Sequence, residues 1–156
     1  MEQHSKLPQN HMVPKIGLTY KSQVPFEQQP RINRSRDAYE ILMLNWDQDT
    51  LELQETFVVL MLSTSKRVTG LFEMSTGAIT GTTVDLKLIF AGALLARAHS
   101  IILAHNHPSL KTEPSQSDIK MTEMIVEAGK LLTVEVLDHI IITPSAYFSF
   151  RDEGLL

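Results

Sequence analysis

The clearest pattern in the chain is an eight-residue string, Glu-Thr-Phe-Val-Val-Leu-Met-Leu, running from Glu55 to Leu62. It is rich in β-branched and apolar residues and predicts a strand, and Ser63-Thr64-Ser65-Lys66 supplies the turn after it. A second strand over Val68 to Met74 is expected to pair back as a hairpin. Gly77 and Gly81 mark bends, and Thr82 or Thr83 is the expected start of an apolar helix from Leu86 to Ala98, buried on most sides. Ser100 to Ala104 is short, continuous and apolar, which predicts a central strand buried on both faces that delivers the chain to His105. Beyond Pro108 and Pro114, Ser115 starts a helix whose stripe of Ile119, Met121, Thr122, Ile125, Val126 and Leu132 is expected to face the core. Strands over Val134 to Thr143 and Tyr147 to Phe150 end the pattern, separated by Pro144-Ser145-Ala146. The order predicts an α/β fold of the α+β kind, one mixed sheet with helices, and shows no internal repeat.

Upstream the pattern fades. Four of the seven prolines fall before residue 34, and residues 1–33 carry neither helical nor alternating periodicity, so they read as an extended or disordered arm. Residues 34–156 form the domain. Ser35 is the expected cap of a short helix in which Ala38, Tyr39, Leu42 and Met43 recur at helical spacing.

Composition adds three restrictions. Residues 1–36 hold six Lys/Arg against two Glu, so of the net charge of -4 the remaining 120 residues carry -8. A basic arm on an acidic body can track phosphates, which keeps a nucleic-acid partner in view, although a merely solvated tail is the plainer reading. The longest apolar run, Leu88 to Ala96, falls short of the ~18 residues that suggest a membrane span, and no secretory signal pattern opens the chain. A cytoplasmic protein with no membrane partner is the expectation. Cysteine is absent, so any metal must be held by nitrogen and oxygen.

The chemistry concentrates in one segment. His105-Asn106-His107-Pro108 follows the buried strand, and alternation points His105 and His107 to the same side. Asp118 lies in the first turn of the next helix, within reach of the same point across the intervening loop. Two nitrogens and one oxygen leave a fourth tetrahedral position for water, the pattern of a catalytic zinc site, although ligand type alone also admits iron or manganese. Each histidine taken singly reads equally well as a hydrogen-bonded loop residue; the three together read as a metal site. A hydrolase also needs a group to take and return the proton of the water. Glu52, Glu55, Glu73 and Glu113 are candidates, of which Glu55 opens the strand expected beside the central one. Ser115 can cap its helix through the Ser115-x-x-Asp118 spacing. Asp138 and His139 are candidates for orienting a ligand from behind, or a structural pair. His99 reads as a cation near a helix C-terminus rather than as a ligand.

Glu55-Thr56-Phe57, His105-Asn106-His107-Pro108-Ser109, Pro114-Ser115-x-x-Asp118 and Leu137-Asp138-His139 together resemble the RadC family, a branch of the JAB/MPN (JAMM) metalloprotease-like domains. The likeness covers about residues 35–156, and Ser149 to Leu155 is similar to the family's end. It implies a curved sheet flanked by helices, of cytidine-deaminase-like architecture, with one zinc ion on His105, His107 and Asp118. It also implies Glu55 as general base and acid, and Ser115 steadying an oxyanion. Longer members carry a helix-hairpin-helix region associated with DNA, so the expectation here is a short form. Leu110 departs from the glycine usual after the Pro-Ser. The resemblance implies a zinc metallopeptidase or isopeptidase acting on a peptide or protein, with a DNA-repair accessory role as the alternative.

Overall fold

The computed structural model describes residues 17–76 and 84–156. The bends expected at Gly77 and Gly81, the helix start expected at Thr82 or Thr83 and the first part of the arm lie outside the described residues. The elements run α1 (Ser35–Asn45), β1 (Thr56–Leu62), β2 (Val68–Thr76), α2 (Leu86–Leu95), β3 (Ser100–Asn106), α3 (Gln116–Leu132), β4 (Glu135–Ile142) and β5 (Tyr147–Ser149), with a short 3-10 turn at Phe26–Gln28. The fold is α/β, one mixed sheet in the order β2-β1-β3-β4-β5. β3 and β4 run parallel while the other neighbours are antiparallel. The α3 crossover makes that parallel pair feasible, since parallel strands cannot be joined by a tight turn.

Strand alternation sorts the core into two layers. Val58, Leu60, Leu62, Ile102, Ala104, Ile140 and Ile142 face α1, where Ala38, Leu42 and Trp46 cover them. Phe57, Val59, Met61, Ile101 and Leu103 face the other way, onto Ile89, Phe90, Ala93 and Ile125 of α2 and α3. β1 and β3 are buried along their whole length because both faces are covered. Position parity therefore decides which layer a polar residue enters.

The structure corrects several sequence expectations. Ser35 is the first helical residue rather than the cap. The Asp37 carboxylate accepts the main-chain N–H groups of Asn33 and Arg34 at 2.9 and 3.0 Å, which frees the Ser35 hydroxyl to meet Tyr147 and Asp152. α2 stops at Leu95, where the chain turns through a left-handed Arg97. Its cap is Asp85, which accepts from Lys87 N–H at 2.8 Å. Only Ile89, Phe90 and Ala93 of α2 are buried; a ten-residue helix on a sheet turns one stripe inward, and Leu88 and Leu94 stay 48% and 53% exposed. Of the expected α3 stripe Thr122 and Ile125 are buried and Met121 packs against the core, joined by the buried Asp118 and Gly129, while Leu132, at the helix end, is 39% exposed. His99 lies past the end of α2, exposed at the entry to β3, with its N–H bonded to Leu62 O at 2.8 Å.

From residue 17 the arm rests on the sheet. Tyr20 donates to Thr69 O at 2.5 Å, Arg67 donates to Gln29 O at 2.6 Å and its guanidinium covers the Phe26 ring. No helix among the described residues is long and apolar enough to cross a membrane.

Candidate metal centre

β3 runs two residues further than its apolar run suggested, so His105 is a strand residue, opposite Phe57 of β1. Its odd position turns it into the layer that holds α3, where it is completely buried. His107 follows just past the strand end, its N–H bonded to Ile142 O at 3.2 Å. The Nδ1 of His107 lies 2.8 Å from Lys111 O. A carbonyl only accepts, so His107 carries its proton on Nδ1 in this contact, and its Nε2 faces inward.

Asp118 reaches the same point from α3. Ser115 caps the helix: its hydroxyl accepts from Asp118 N–H at 3.2 Å, and its own N–H donates to Asp118 Oδ2 at 2.7 Å. The hydroxyl proton goes to the same Oδ2, at 2.6 Å. This reciprocal capping box satisfies helix N–H groups and pins the carboxylate. Both oxygens also approach the imidazoles, Oδ1 at 3.5 Å from His105 Nε2 and the capped Oδ2 at 3.7 Å from His107 Nε2. The two Nε2 atoms lie 2.9 Å apart.

One atom from each of these three residues falls within 4.8 Å of the others, a grouping able to hold a metal ion. Ligands on a tetrahedral ion with bonds of about 2.0–2.2 Å sit roughly 3.4 Å from each other. The imidazole nitrogens, 2.9 Å apart, and the Asp118 oxygens, 3.5 Å from His105 Nε2 through Oδ1 and 3.7 Å from His107 Nε2 through Oδ2, lie close to that spacing, so small side-chain adjustments bring the three residues onto such an ion.

The electrostatics suit a cation. Burial pushes the His105 pKa down to about 4, against the pull of the Asp118 charge. The Asp118 carboxylate raises that of the half-buried His107, with a smaller contribution from Glu55. For Asp118 itself burial works upward, but His107, the charge of His105 and the Ser115 hydrogen bonds outweigh it, and the carboxyl stays well below its ordinary range.

Glu55 stands immediately before β1, half-buried, close enough for its charge to act on His107. The main chain on either side of it is held by Asn106. This even-position side chain turns to the α1 layer, where its Oδ1 accepts from Thr56 N–H at 2.7 Å and its amide donates to Leu51 O and Gln54 O at 2.7 and 2.8 Å. Sequence reading gave Asn106 no role; its only signal was its place between two histidines.

Asp138 and His139 part company by the same alternation. Asp138 accepts from the N–H groups of His139 and Arg151 and from the Ser149 hydroxyl, at 2.8, 3.0 and 2.6 Å. It ties β4 to the β5 end, and burial raises its pKa. His139 turns toward the metal-centre layer, its Nε2 2.8 Å from His105 Nδ1.

Helices on both faces of a mixed sheet, with two imidazoles and an acid gathered at the end of its central strand, define a JAB-type domain with a cluster able to hold a metal ion. The family model described as RadC-like JAB domain matches residues 32–155, and the chain belongs to that family. A Flavobacterium johnsoniae protein described as UPF0758 is 43% identical over 127 residues, 80% of this chain and 53% of the relative. A Porphyromonas gingivalis protein of the same description is 39% identical over 145 residues, 90% of this chain and 62% of the relative. A Chlorobaculum tepidum relative is 36% identical over 126 residues, with 81% and 55% covered. The chain thus spans little more than half the length of these relatives.

Proposed function

We propose that the domain is a zinc-dependent amide hydrolase acting on peptides or isopeptides. The observation that carries this reading is the convergence of His105, His107 and Asp118 within 4.8 Å, beside a glutamate whose charge reaches His107. His105, His107 and Asp118 would hold the ion, and nitrogen and oxygen donors without thiolate suit zinc in a hydrolytic site. When bound, zinc supplies Lewis-acid polarisation of a carbonyl and lowers the pKa of water toward neutrality.

The protein's own groups do the rest. Glu55 takes the proton from the attacking water and returns it to the leaving amine, so the acid and base steps use one carboxylate. Asn106 holds the Leu51–Thr56 segment, and with it the base, against the strand that carries His105 and leads into His107. Ser115 would steady the oxyanion only after turning its hydroxyl away from Asp118 Oδ2, where the proton is engaged at 2.6 Å. Its capping of α3 and its grip on Asp118 need no such movement.

The test joins metal analysis to hydrolysis of a peptide library. The wild type is expected to bind one zinc per chain and cleave; Glu55→Gln is expected to keep zinc and lose cleavage. His107→Ala and Asp118→Ala are expected to lose both. Full zinc content in a doubly substituted His107→Ala, Asp118→Ala protein would remove the basis for the reading.

A further inference from the structure

Behind the three candidate ligands lies a chain of hydrogen bonds that starts and ends on two of them. Thr122, one turn after Asp118 on α3, has its hydroxyl 2.6 Å from Asp118 O and 2.6 Å from His139 Nδ1. His139 Nε2 lies 2.8 Å from His105 Nδ1. All three residues are buried, so water cannot substitute for a missing partner.

The directions of these bonds follow from counting protons. A hydroxyl has one proton and a carbonyl has none. The short contact to Asp118 O is a hydrogen bond only if Thr122 donates, which leaves its oxygen to accept from His139 Nδ1–H. A neutral His139 then presents a bare Nε2, which accepts from His105 Nδ1–H. That in turn leaves His105 Nε2 as a lone pair pointing at Asp118 and His107. The opposite polarity would place two oxygens at 2.6 Å with no proton between them.

We propose that Thr122 and His139 form a proton-ordering relay that fixes His105 as its Nδ1–H tautomer and so reserves Nε2 for a metal. Both are positioning residues acting through His105. The relay also links two ligands on different elements, since it begins at the main-chain carbonyl of Asp118 and ends on the strand carrying His105. Lys111 O orders His107 in the same sense, so a neutral His107 turns a second lone pair to a point 2.9 Å from that of His105. Such a pair repels unless a proton or a metal cation lies between, so the ordered site favours something positive at that point. Rings packed around the relay, with Phe57 5.8 Å and Phe150 4.7 Å from His139 by centroid, hold the imidazoles in register.

The relay rests on the metal-site reading only for its purpose, and its test separates the two. Nitrogen-15 NMR of histidine-labelled, metal-free protein near neutral pH reads the tautomers directly. The wild type is expected to show Nδ1–H at His139 and His105. Thr122→Val, which removes the hydroxyl but keeps the shape, is expected to release the His139 tautomer and weaken zinc affinity by about 10–100-fold in a competition titration. Thr122→Ser is expected to restore both. An Nε2–H tautomer at His139 in the wild type would overturn the relay, as would a Thr122→Val protein matching the wild type in tautomer and affinity. A serine variant as weak as the valine one would do so too, because packing of the methyl would then be the cause. Wild-type protein with the expected tautomers but no zinc binding would leave the relay standing and sink the hydrolase reading.

Discussion

The side chain of Asn106 takes the main-chain N–H of Thr56 at 2.7 Å, although 50 residues separate the two. Its amide also donates to Leu51 O and Gln54 O, so one residue between the two histidines closes the segment that ends at Glu55. Asn106→Ala would leave three main-chain groups without this partner, at about 1–3 kcal/mol for each that stays buried and unsatisfied. The expected result is a loss of about 3 kcal/mol in urea unfolding. If Glu55 is the base, kcat should fall by roughly 100-fold, because a misplacement of 1 Å is enough. Zinc affinity should change little, since no ligand is touched. Asn106→Ala protein with wild-type kcat would show that Glu55 is held by other means.

That placement was not legible in the sequence, and the reason is physical. His105, His107 and Asp118 could be found because strand alternation and the first turn of a helix are local rules that act over a few residues. The duties of Asn106 and Thr122 depend on partners in other elements: Asn106 bonds back to a turn before β1, and Thr122 bonds to His139 across α3 and β4. The same limit explains α2. Its composition is apolar almost all round, which usually means burial, yet only one stripe meets the sheet. His139 and Asp138 could be named together but not told apart until the β4 register showed which faces the metal centre.

Leu110 was legible in another sense. The family resemblance sets a glycine there, and the structure gives Leu110 a φ of 63°, in the left-handed region that an L side chain enters at a cost of about 1–2 kcal/mol. The side chain is 54% exposed and adds little burial. Leu110→Gly relieves the strain but adds unfolded-state entropy of roughly 0.5–1 kcal/mol. The net expectation is a gain of up to about 1 kcal/mol, read as a raised unfolding midpoint. Leu110→Ile should be destabilised, because a β-branched residue tolerates this conformation least. A midpoint lower in the glycine than in the isoleucine variant would mean that the leucine makes a contact worth more than the strain.

Gly129 has the opposite requirement, for space. A Cβ there would lie 2.4 Å from Val134 O, where α3 turns into β4 and Val134 N–H bonds to Gly129 O at 2.9 Å. Main chain meets main chain, so no side chain can move aside. Gly129→Ala would gain roughly 1 kcal/mol of helix propensity, but overpacking of this kind costs about 1–3 kcal/mol or more. The expected outcome is a net loss of about 1–2 kcal/mol in denaturant unfolding. An alanine variant as stable as the wild type would mean that the helix end separates from β4 freely.

The metal-free protein should be acid-labile, and the sign follows from the buried imidazoles. His105 is pushed down to about 4 and His139 well below its ordinary value, both chiefly by burial. Between pH 6.5 and about 4 the unfolded chain therefore binds protons that the folded one refuses, so stability rises with pH there. Each such group adds a slope of at most about 1.4 kcal/mol per pH unit. Asp138, raised by burial, acts against this above its unfolded pKa, so the net is two imidazoles against one carboxyl. His107, raised by Asp118, contributes stability that is lost as pH climbs through its folded value, above this window. Urea unfolding of the metal-free protein at pH 6.0 and 4.5 is expected to give a lower midpoint at the more acid value. Asp138→Asn should steepen the difference, because it removes the opposing group. A midpoint that is flat or rises toward pH 4.5 in that variant would mean that His105 and His139 take up protons in the folded state, against the burial that surrounds them.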